Sequence, residues 1–340
     1  MVAGVRRPVG SSSGAANFSF SQTGSLVYIP GPVLTSSSQF DVALTGREGG
    51  IESLNVPAGA YLAPRASPDG ARIAFGTDDG KEAVVWIYDL SATSAMRRLT
   101  FGGNNRFPIW TADSRRVAFQ SDRDGDLAVF WQPGDGSGSA ERLTQPDEGT
   151  SHVPESWSPN GDTFLFSVTN GSGVGLWSLS MRNRKATPFG AVRSSTITNA
   201  VFSPDGRWVA YASTERGPTR IYVEPYPTAG AKYQLPAKAN ESGTHPLWSP
   251  DGKELFYNPR PGGFEAVSIT TQPTFAFGNP VAVPKPFQTG PPVVRRTFDI
   301  TPSGKFVGLI PAGSTKSGAL AAPQIHVVLN WFEELKARVP

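Results

Sequence analysis

A short motif recurs along the whole chain and constrains the fold more than any other feature of the sequence. Most copies have an aromatic or small residue, then Ser or Thr, Pro, Asp or Asn, and Gly, as in Trp248-Ser-Pro-Asp-Gly252. The copies end at Gly24, Gly70, Ser114, Gly161, Gly206, Gly252 and Gly304. The spacing of 44 to 52 residues indicates one structural unit repeated seven times, which is typical of solenoids and propellers.

The residues around each motif predict four short strands per repeat. An apolar strand such as Arg72–Gly76 follows the motif, then a polar turn, a third strand such as Val85–Tyr88, and a short fourth strand such as Arg97–Thr100. In the motif itself, Pro presets φ, Asp can bond to its own backbone and Gly can take a positive φ, which together favour a hairpin turn. Four antiparallel strands per repeat are typical of a propeller blade, which buries both faces only by stacking against other blades.

We therefore predict an all-β fold, a β-propeller of four-stranded antiparallel blades that forms a single domain over residues 1–340. Seven motif copies favour seven blades, with six as the alternative. Residues 330–340 are predicted to form a short C-terminal helical tail. The aromatic residues before the motif are expected to end the innermost strands and to pack between blades; they are Trp110, Trp157, Phe202 and Trp248.

The last repeat contains three good strand patterns rather than four: Phe298–Thr301, Phe306–Ile310 and Ile325–Leu329. A strand from the extreme N-terminus, around Val2–Val5, is expected to complete this blade. Such a closure pairs both ends of the chain in one sheet and protects two sheet edges.

Composition excludes several classes of function. The chain has no cysteine, which excludes disulfides, thiolate metal sites and cysteine nucleophiles, and it has only three histidines. A net charge of +3, with no Lys/Arg run longer than two, is not the clustered basic stripe of a nucleic-acid binder. No apolar run approaches the roughly 20 residues that span a bilayer, and the N-terminus does not resemble a signal peptide. We expect a monomer without cofactor or metal, and without direct membrane insertion.

The Ser-Pro-Asp-Gly turns, followed by Arg207-Trp-Val-Ala-Tyr211 or Lys253-Glu-Leu-Phe-Tyr257, resemble TolB-type, WD40-like propeller repeats along essentially the whole chain. Arg106–Thr111 and Gln324–Lys336 also resemble the C-terminal sensor propeller of bacterial serine/threonine protein kinases. The chain has no kinase Gly-rich loop, His-Arg-Asp or Asp-Phe-Gly motif, so that resemblance implies a catalytic domain outside this sequence. The resemblance to TolB implies an extracytoplasmic, periplasmic setting and a protein partner, whereas a complete chain without a signal would be cytoplasmic.

Candidate binding residues lie just before each innermost strand, where loops line the mouth of a propeller channel. Counting about four to six residues back from the motif Ser or Thr selects Arg106, His152, Asn199, His245 and Arg296. Two arginines and two histidines at one mouth would favour an anionic ligand, such as a carboxylate, an acidic sugar or an acidic peptide end. Ordinary loop polarity around a water-filled channel is the alternative. His326 lies within an apolar strand and is predicted to be structural.

These observations favour a non-catalytic sensing or scaffold propeller, which binds a protein segment or a small anionic ligand at the channel mouth. We predict no catalytic residue. Two alternatives remain open: a metal-dependent lyase or hydrolase acting on acidic glycans, and the gating propeller of a serine peptidase whose hydrolase domain lies outside this chain. A propeller fold alone does not distinguish them, because propellers host many functions.

Overall fold

The computed structural model describes residues 18–21, 23, 25–28, 39–91, 96–238, 241–313, 326–328 and 331. The chain forms two compact units, one made of residues 1–39 with 312–340 and the other of residues 40–311. Val2–Val5, Gly24 and the C-terminal tail apart from Trp331 lie outside the described residues.

The first unit contains a three-stranded antiparallel sheet. Strand β1 (Phe18–Phe20) pairs with β2 (Leu26–Tyr28), which pairs in turn with β28 (His326–Val328). The third strand predicted for the last blade therefore pairs with the first repeat. In this register His326 lies opposite Tyr28.

The second unit is a six-bladed propeller, in which each blade is an antiparallel sheet. Strands β3 (Phe40–Thr45) and β4 (Ile51–Ser53) come first in the chain. Blade 1 consists of β5 (Tyr61–Ala66), β6 (Arg72–Asp78), β7 (Ala83–Asp89) and β8 (Arg97–Arg98). Blade 2 consists of β9 (Asn105–Trp110), β10 (Arg116–Ser121), β11 (Ala128–Pro133) and β12 (Glu141–Arg142). Blade 3 consists of β13 (Ser151–Trp157), β14 (Thr163–Asn170), β15 (Gly173–Ser180) and β16 (Ala186–Ser194).

The other three blades complete the ring. Blade 4 consists of β17 (Val201–Phe202), β18 (Trp208–Ser213), β19 (Arg220–Pro225) and β20 (Tyr233–Gln234). Blade 5 consists of β21 (Thr244–Trp248), β22 (Glu254–Asn258), β23 (Glu265–Thr270), β24 (Ala276–Phe277) and β25 (Val281–Ala282). Blade 6 consists of β26 (Phe298–Ile300) and β27 (Phe306–Pro311) together with β3 and β4. In blade 5, both β24 and β25 pair with β23.

The prediction of seven blades is wrong because the first and last repeats contribute to one shared blade. Strand β27 pairs with β3 over six residues, from Phe306 opposite Thr45 to Pro311 opposite Phe40. This register buries Val42 on one face, in a cluster with Ile73 of blade 1, and Ala43 on the other. An N-terminal segment does close the last blade, but it supplies two strands rather than one, and these lie at residues 40–53.

The motif turn is a compact hydrogen-bonded unit. In blade 4, Ser203 Oγ donates to Asp205 Oδ1 at 2.5 Å and accepts from the backbone N–H of Trp208 at 3.0 Å. The same carboxylate oxygen accepts from the backbone N–H of Arg207. Matching bonds occur in the other turns that keep Ser or Thr and Asp or Asn. Ser and Asp therefore recur because their side chains form hydrogen bonds with backbone N–H groups of the turn.

The motif Pro and Gly join neighbouring blades. Gly206 has φ of +71°, and a Cβ at this position would lie 3.2 Å from Cδ of Pro159 in the preceding blade's turn. Gly161 has φ of +74° but no neighbour within 4 Å of such a Cβ, because blade 2 carries Ala112 in place of the motif Pro. The positive φ alone favours glycine at both positions, and close packing adds a second requirement at Gly206.

The four aromatic residues before the motif do end innermost strands and are buried, as predicted: Trp110, Trp157, Phe202 and Trp248. Two of their indoles also bridge blades. Trp110 Nε1 donates to the carbonyl of Arg65 at 3.2 Å, and Trp248 Nε1 donates to the carbonyl of Val201 at 3.3 Å.

The two turns offer a matched test of packing between blades. We expect Gly206→Ala and Gly161→Ala each to destabilise the protein by about 1–2 kcal/mol, because alanine is strained at positive φ. Gly206→Ala should cost more than Gly161→Ala, since its methyl group also crowds Pro159. Urea unfolding of the two variants measures the difference, and equal losses would show that the contact with Pro159 contributes nothing.

Candidate functional site

A funnel-shaped cavity of about 460 Å³ lies where the innermost strands of all six blades end. Its wall combines the buried aromatic residues with the motif prolines: Trp110, Trp157, Phe202, Trp248, Pro68, Pro159, Pro204, Pro250 and Pro302. Such a wall offers flat apolar surfaces and few polar groups, which is typical of sites for peptides and small organic ligands. We refer to this cavity as the funnel.

The floor of the funnel is asymmetric. The residue two positions before the motif Ser or Thr lines the funnel in every blade, and in blade order these residues are Arg65, Ile109, Ser156, Val201, Leu247 and Asp299. Glu155 and Arg296 reach the same floor. The charged side chains thus come from blades 1, 3 and 6, whereas blades 2, 4 and 5 present apolar ones.

Two buried ion pairs lie at the floor. Arg295 Nη1 lies 2.7 Å from Glu155 Oε2, and Arg296 Nη2 lies 3.3 Å from Asp299 Oδ1. Glu155 also accepts hydrogen bonds from Thr198 Oγ1 and the backbone N–H of Ala200. Because both carboxylates already have an arginine partner, neither is left to neutralise a further cation.

Arg65 is the third guanidinium at the floor, and no carboxylate of the described residues lies within 4 Å of it. Its Nη1 donates to the carbonyls of Pro64 at 2.7 Å and Arg296 at 3.0 Å. Burial, together with the nearby charge of Arg296, lowers the pKa of the Arg65 guanidinium to about 9. The side chain still carries a proton at neutral pH, so three cations, of which Arg295 and Arg296 are buried and Arg65 is half-buried, face two anions.

Left-handed residues in the innermost strands place two of the predicted site residues. Asn199 and His245, four positions before the motif serine, have φ of +45° and +56°, as do Ala63 and Phe107 at +46° and +57° in their repeats. In β5, β9 and β21 the residue lies at an irregularity in the strand register. Asparagine tolerates this conformation better than most residues, whereas histidine there requires support from its surroundings.

His245 obtains that support from hydrogen bonds on both ring nitrogens. Nε2 lies 2.9 Å from the carbonyl of Val294, so it carries the proton and donates. Nδ1 accepts, with Thr244 Oγ1 and Asn258 Nδ2 each 3.1 Å away. Burial lowers the pKa of His245 to about 4, which keeps the ring neutral at physiological pH.

The structure brings three of the five predicted site residues together. Asn199 Oδ1 accepts from the backbone N–H of Arg296 at 3.0 Å, and Arg296 Nη1 donates to the carbonyl of Pro246, next to His245. All three are buried rather than exposed at a mouth. A ligand role for them remains a prediction.

The other two predicted residues lie elsewhere. Arg106 Nε pairs with Asp78 Oδ2 at 2.8 Å. His152 lines a cavity of about 340 Å³ between blades 2 and 3, where its ring contacts Phe166 and burial lowers its pKa to about 4. Neither side chain lines the funnel.

Sequence reasoning missed four charged residues: Arg65, Glu155 and Asp299, which line the floor, and Arg295, which pairs with Glu155. A signal for three of them was present, because they lie two or three positions before the motif Ser or Thr. Along a strand, residues at alternate positions share a face, so charged residues among otherwise apolar ones at a fixed position mark an unusual surface.

Comparison with known proteins supports the repeat assignment. The family model for the TolB beta propeller domain matches residues 45–186. Over these residues the propeller thus resembles the TolB family. The putative TolB from Agrobacterium tumefaciens has a similar structure, with a TM-score of 0.59 and 15% identity over 81% of this chain and 99% of that chain.

The same fold occurs in proteins with other functions. An oligogalacturonate lyase from Vibrio parahaemolyticus has a TM-score of 0.53 and 13% identity, over 95% of this chain and 83% of that chain. An uncharacterized peptidase, YuxL, from Bacillus subtilis is 27% identical over 57% of this chain. The aligned part is 29% of that relative's length, so this chain spans less than a third of it.

Two further findings concern the described residues of this propeller. No helix among them is long and apolar enough to cross a membrane. No three histidine, aspartate or glutamate side chains among them are grouped so that they could hold a metal ion.

The two buried histidines predict how stability depends on pH. Each has a folded-state pKa of about 4, against 6.5 for an ordinary histidine. Below about pH 6.5 the unfolded chain binds protons that the folded chain excludes, so stability should fall by up to about 1.4 kcal/mol per pH unit for each histidine until about pH 4. Urea unfolding across this range should give His245→Asn about half of the parent protein's slope, because only His152 still contributes. Asparagine is the replacement because it fits the left-handed backbone. An unchanged slope would contradict a neutral, buried His245.

Proposed function

We propose that this chain is a non-catalytic binding module, which takes a segment of a partner protein or a small anionic ligand in the funnel. The observation that carries the proposal is the guanidinium of Arg65, which lines the funnel and has no carboxylate partner among the described residues. A carboxylate that enters the funnel would supply the missing anion. The ion pairs between arginine and carboxylate are strongest when they are desolvated and doubly hydrogen-bonded.

The funnel wall suits the rest of such a ligand. Indole, phenyl and proline rings contact apolar or aromatic side chains with little loss of conformational entropy on either side. Two of the indoles are held by hydrogen bonds to the neighbouring blade, so the wall is organised before a ligand arrives. A preformed site loses less affinity to ordering than a mobile one.

The proposal gives the sequence-predicted residues different roles. Arg296 lies at the floor with its charge already paired, and Asn199 and His245 support it from below. Arg65 is the residue that would contact the ligand's anionic group. Arg106 and His152 line other surfaces, so we expect them to contribute little to binding in the funnel.

In this proposal the chain acts as the propeller part of a bacterial signalling or envelope protein outside the cytoplasm. One observation favours a second candidate, the gating propeller of a peptidase. The Bacillus subtilis relative is described as a peptidase, and the chain matches a minor part of its length. A hydrolase domain in the full-length protein would support this candidate, whereas a kinase domain would exclude it. The lyase alternative rests on a shared fold alone.

Arg65→Gln tests the proposal, with Arg106→Gln as the matched control. Short peptides displayed with free C-termini would be selected against the parent protein, and the enriched peptides would be measured by calorimetry. We expect Arg65→Gln to weaken binding at least about tenfold, or 1.4 kcal/mol, because it removes the unpaired cation. Arg106→Gln should leave affinity unchanged.

Amidated versions of the same peptides, and versions with Asn or Gln in place of Asp or Glu, identify which carboxylate enters the funnel. If Arg65→Gln binds every enriched peptide as well as the parent does, the funnel is not an anion-dependent site and the proposal fails.

A further inference from the structure

A second, much smaller cavity lies beside the funnel, behind the floor formed by Arg65, Glu155 and Arg296. It is lined by those three residues together with Asn199 and Arg295, among others, and its volume is about 10 Å³. A cavity of about this size holds a single water-sized species. We refer to it as the inner cavity.

The charge around the inner cavity does not balance. Arg65, Arg295 and Arg296 supply three positive charges, whereas Glu155 and Asp299 supply two negative ones, each already in an ion pair. Arg295 and Arg296 are buried and Arg65 is half-buried, and a positive charge that is shielded from water without a counter-charge is costly. The inner cavity therefore has a positive potential that a single negative charge would neutralise.

The unsatisfied polar atoms around this cavity are donors. Asn199 is 4% exposed, and its buried Nδ2 has no acceptor among the described residues. The orientation of this amide is fixed, because Oδ1 accepts from the backbone N–H of Arg296 at 3.0 Å. For Arg65, which is half-buried, only Nη1 has a hydrogen-bond partner among the described residues; Nε and Nη2 lack one but are not buried, so they can also donate to solvent in the funnel.

We infer that the inner cavity binds one monatomic inorganic anion, chloride under physiological conditions. The small volume excludes polyatomic anions such as phosphate, and the surplus of donors and of positive charge excludes a cation. A water molecule would meet the hydrogen-bond requirement but would leave the net positive charge uncompensated. This inference does not depend on the proposed function, because it concerns the protein without a ligand in the funnel.

Asn199→Asp is the decisive variant. It keeps an oxygen to accept from Arg296 N–H, tolerates the left-handed backbone, and replaces the Nδ2 donor with a negatively charged acceptor. The substitution therefore supplies the missing charge covalently. Asn160→Asp is the matched control: it adds the same charge in the motif turn of blade 3, where other repeats already carry Asp.

The experiment compares melting temperatures in sodium methanesulfonate, whose anion is polyatomic and has no carboxylate, and in sodium chloride at one ionic strength, about 0.15 M, so that screening is constant. For the parent protein and Asn160→Asp we expect chloride to raise the melting temperature by about 2–4 °C. Bromide should act in the same way. Asn199→Asp should melt at the same temperature in both salts.

Two outcomes would overturn the inference. A parent protein that is insensitive to chloride and bromide would show that the inner cavity holds water. An equal rise for Asn199→Asp would show that the halide acts at another site. If Asn199→Asp fails to fold, anomalous diffraction from crystals of the parent grown in bromide decides the question, because the inference requires a bromide peak within hydrogen-bond distance of Asn199 Nδ2 and Arg65.

Discussion

The pairing of β27 with β3 is the constraint on which the rest of the propeller depends. A six-residue ladder joins the first strand of the propeller unit to its last full strand and leaves neither with a free edge. It also sets which blades become neighbours. Blade 6 lies against blade 1 only because the ring closes, and Arg65 then donates to the carbonyl of Arg296, 231 residues away in the chain. The charged floor of the funnel is thus a product of closure.

The residues that recur in every blade stabilise this closed ring. The residues that differ between blades form the charged floor of the funnel. The Ser and Asp of each turn satisfy backbone groups, and the Pro of one turn contacts the Gly of the next, as Pro302 does with Gly70 and Pro204 with Gly252. Where blade 2 carries Ala112, one of these contacts is lost without consequence for the fold. Charged residues at the floor, by contrast, occur in blades 1, 3 and 6 and give the channel a direction that six equal blades would not have. In the proposed binding role, this asymmetry would hold a ligand in one orientation.

The sequence predicts the fold well because its evidence is local. The motif, the apolar strands after it and the aromatic residue before it repeat with every blade, so the strand boundaries follow from neighbouring residues. The blade count depended instead on a long-range choice. The strand pattern of residues 40–45 is compatible with pairing inside the first repeat or with the last repeat, and only packing of Val42 and Ala43 against two different clusters settles it.

The positions of three candidate residues could be predicted from the sequence, but their contacts could not, and their role in binding stays a prediction. Counting back from the motif selected Asn199 and His245, where the left-handed backbone recurs at a fixed position, and Arg296 one position earlier in its repeat. It could not show that His245 uses both ring nitrogens internally or that Arg296 is already paired. Those facts depend on Val294, Asn258 and Asp299, which other blades or strands bring into contact. The same reasoning overlooked Arg65, because this residue is of interest for having no carboxylate partner among the described residues, which only the structure shows.

One uncompensated charge at the boundary between the funnel and the inner cavity has a thermodynamic consequence. An anion in either cavity reduces the attraction that Arg65 exerts on an anion in the other, since the same charge cannot be neutralised twice. If the two proposed sites both bind anions, their binding is negatively coupled, and linkage requires the coupling to be reciprocal: the factor by which chloride weakens a carboxylate ligand equals the factor by which that ligand weakens chloride. A neutral ligand that only contacts the aromatic wall would show no such coupling. The salt dependence of binding thus reports whether a ligand reaches Arg65, whatever else it contacts in the funnel.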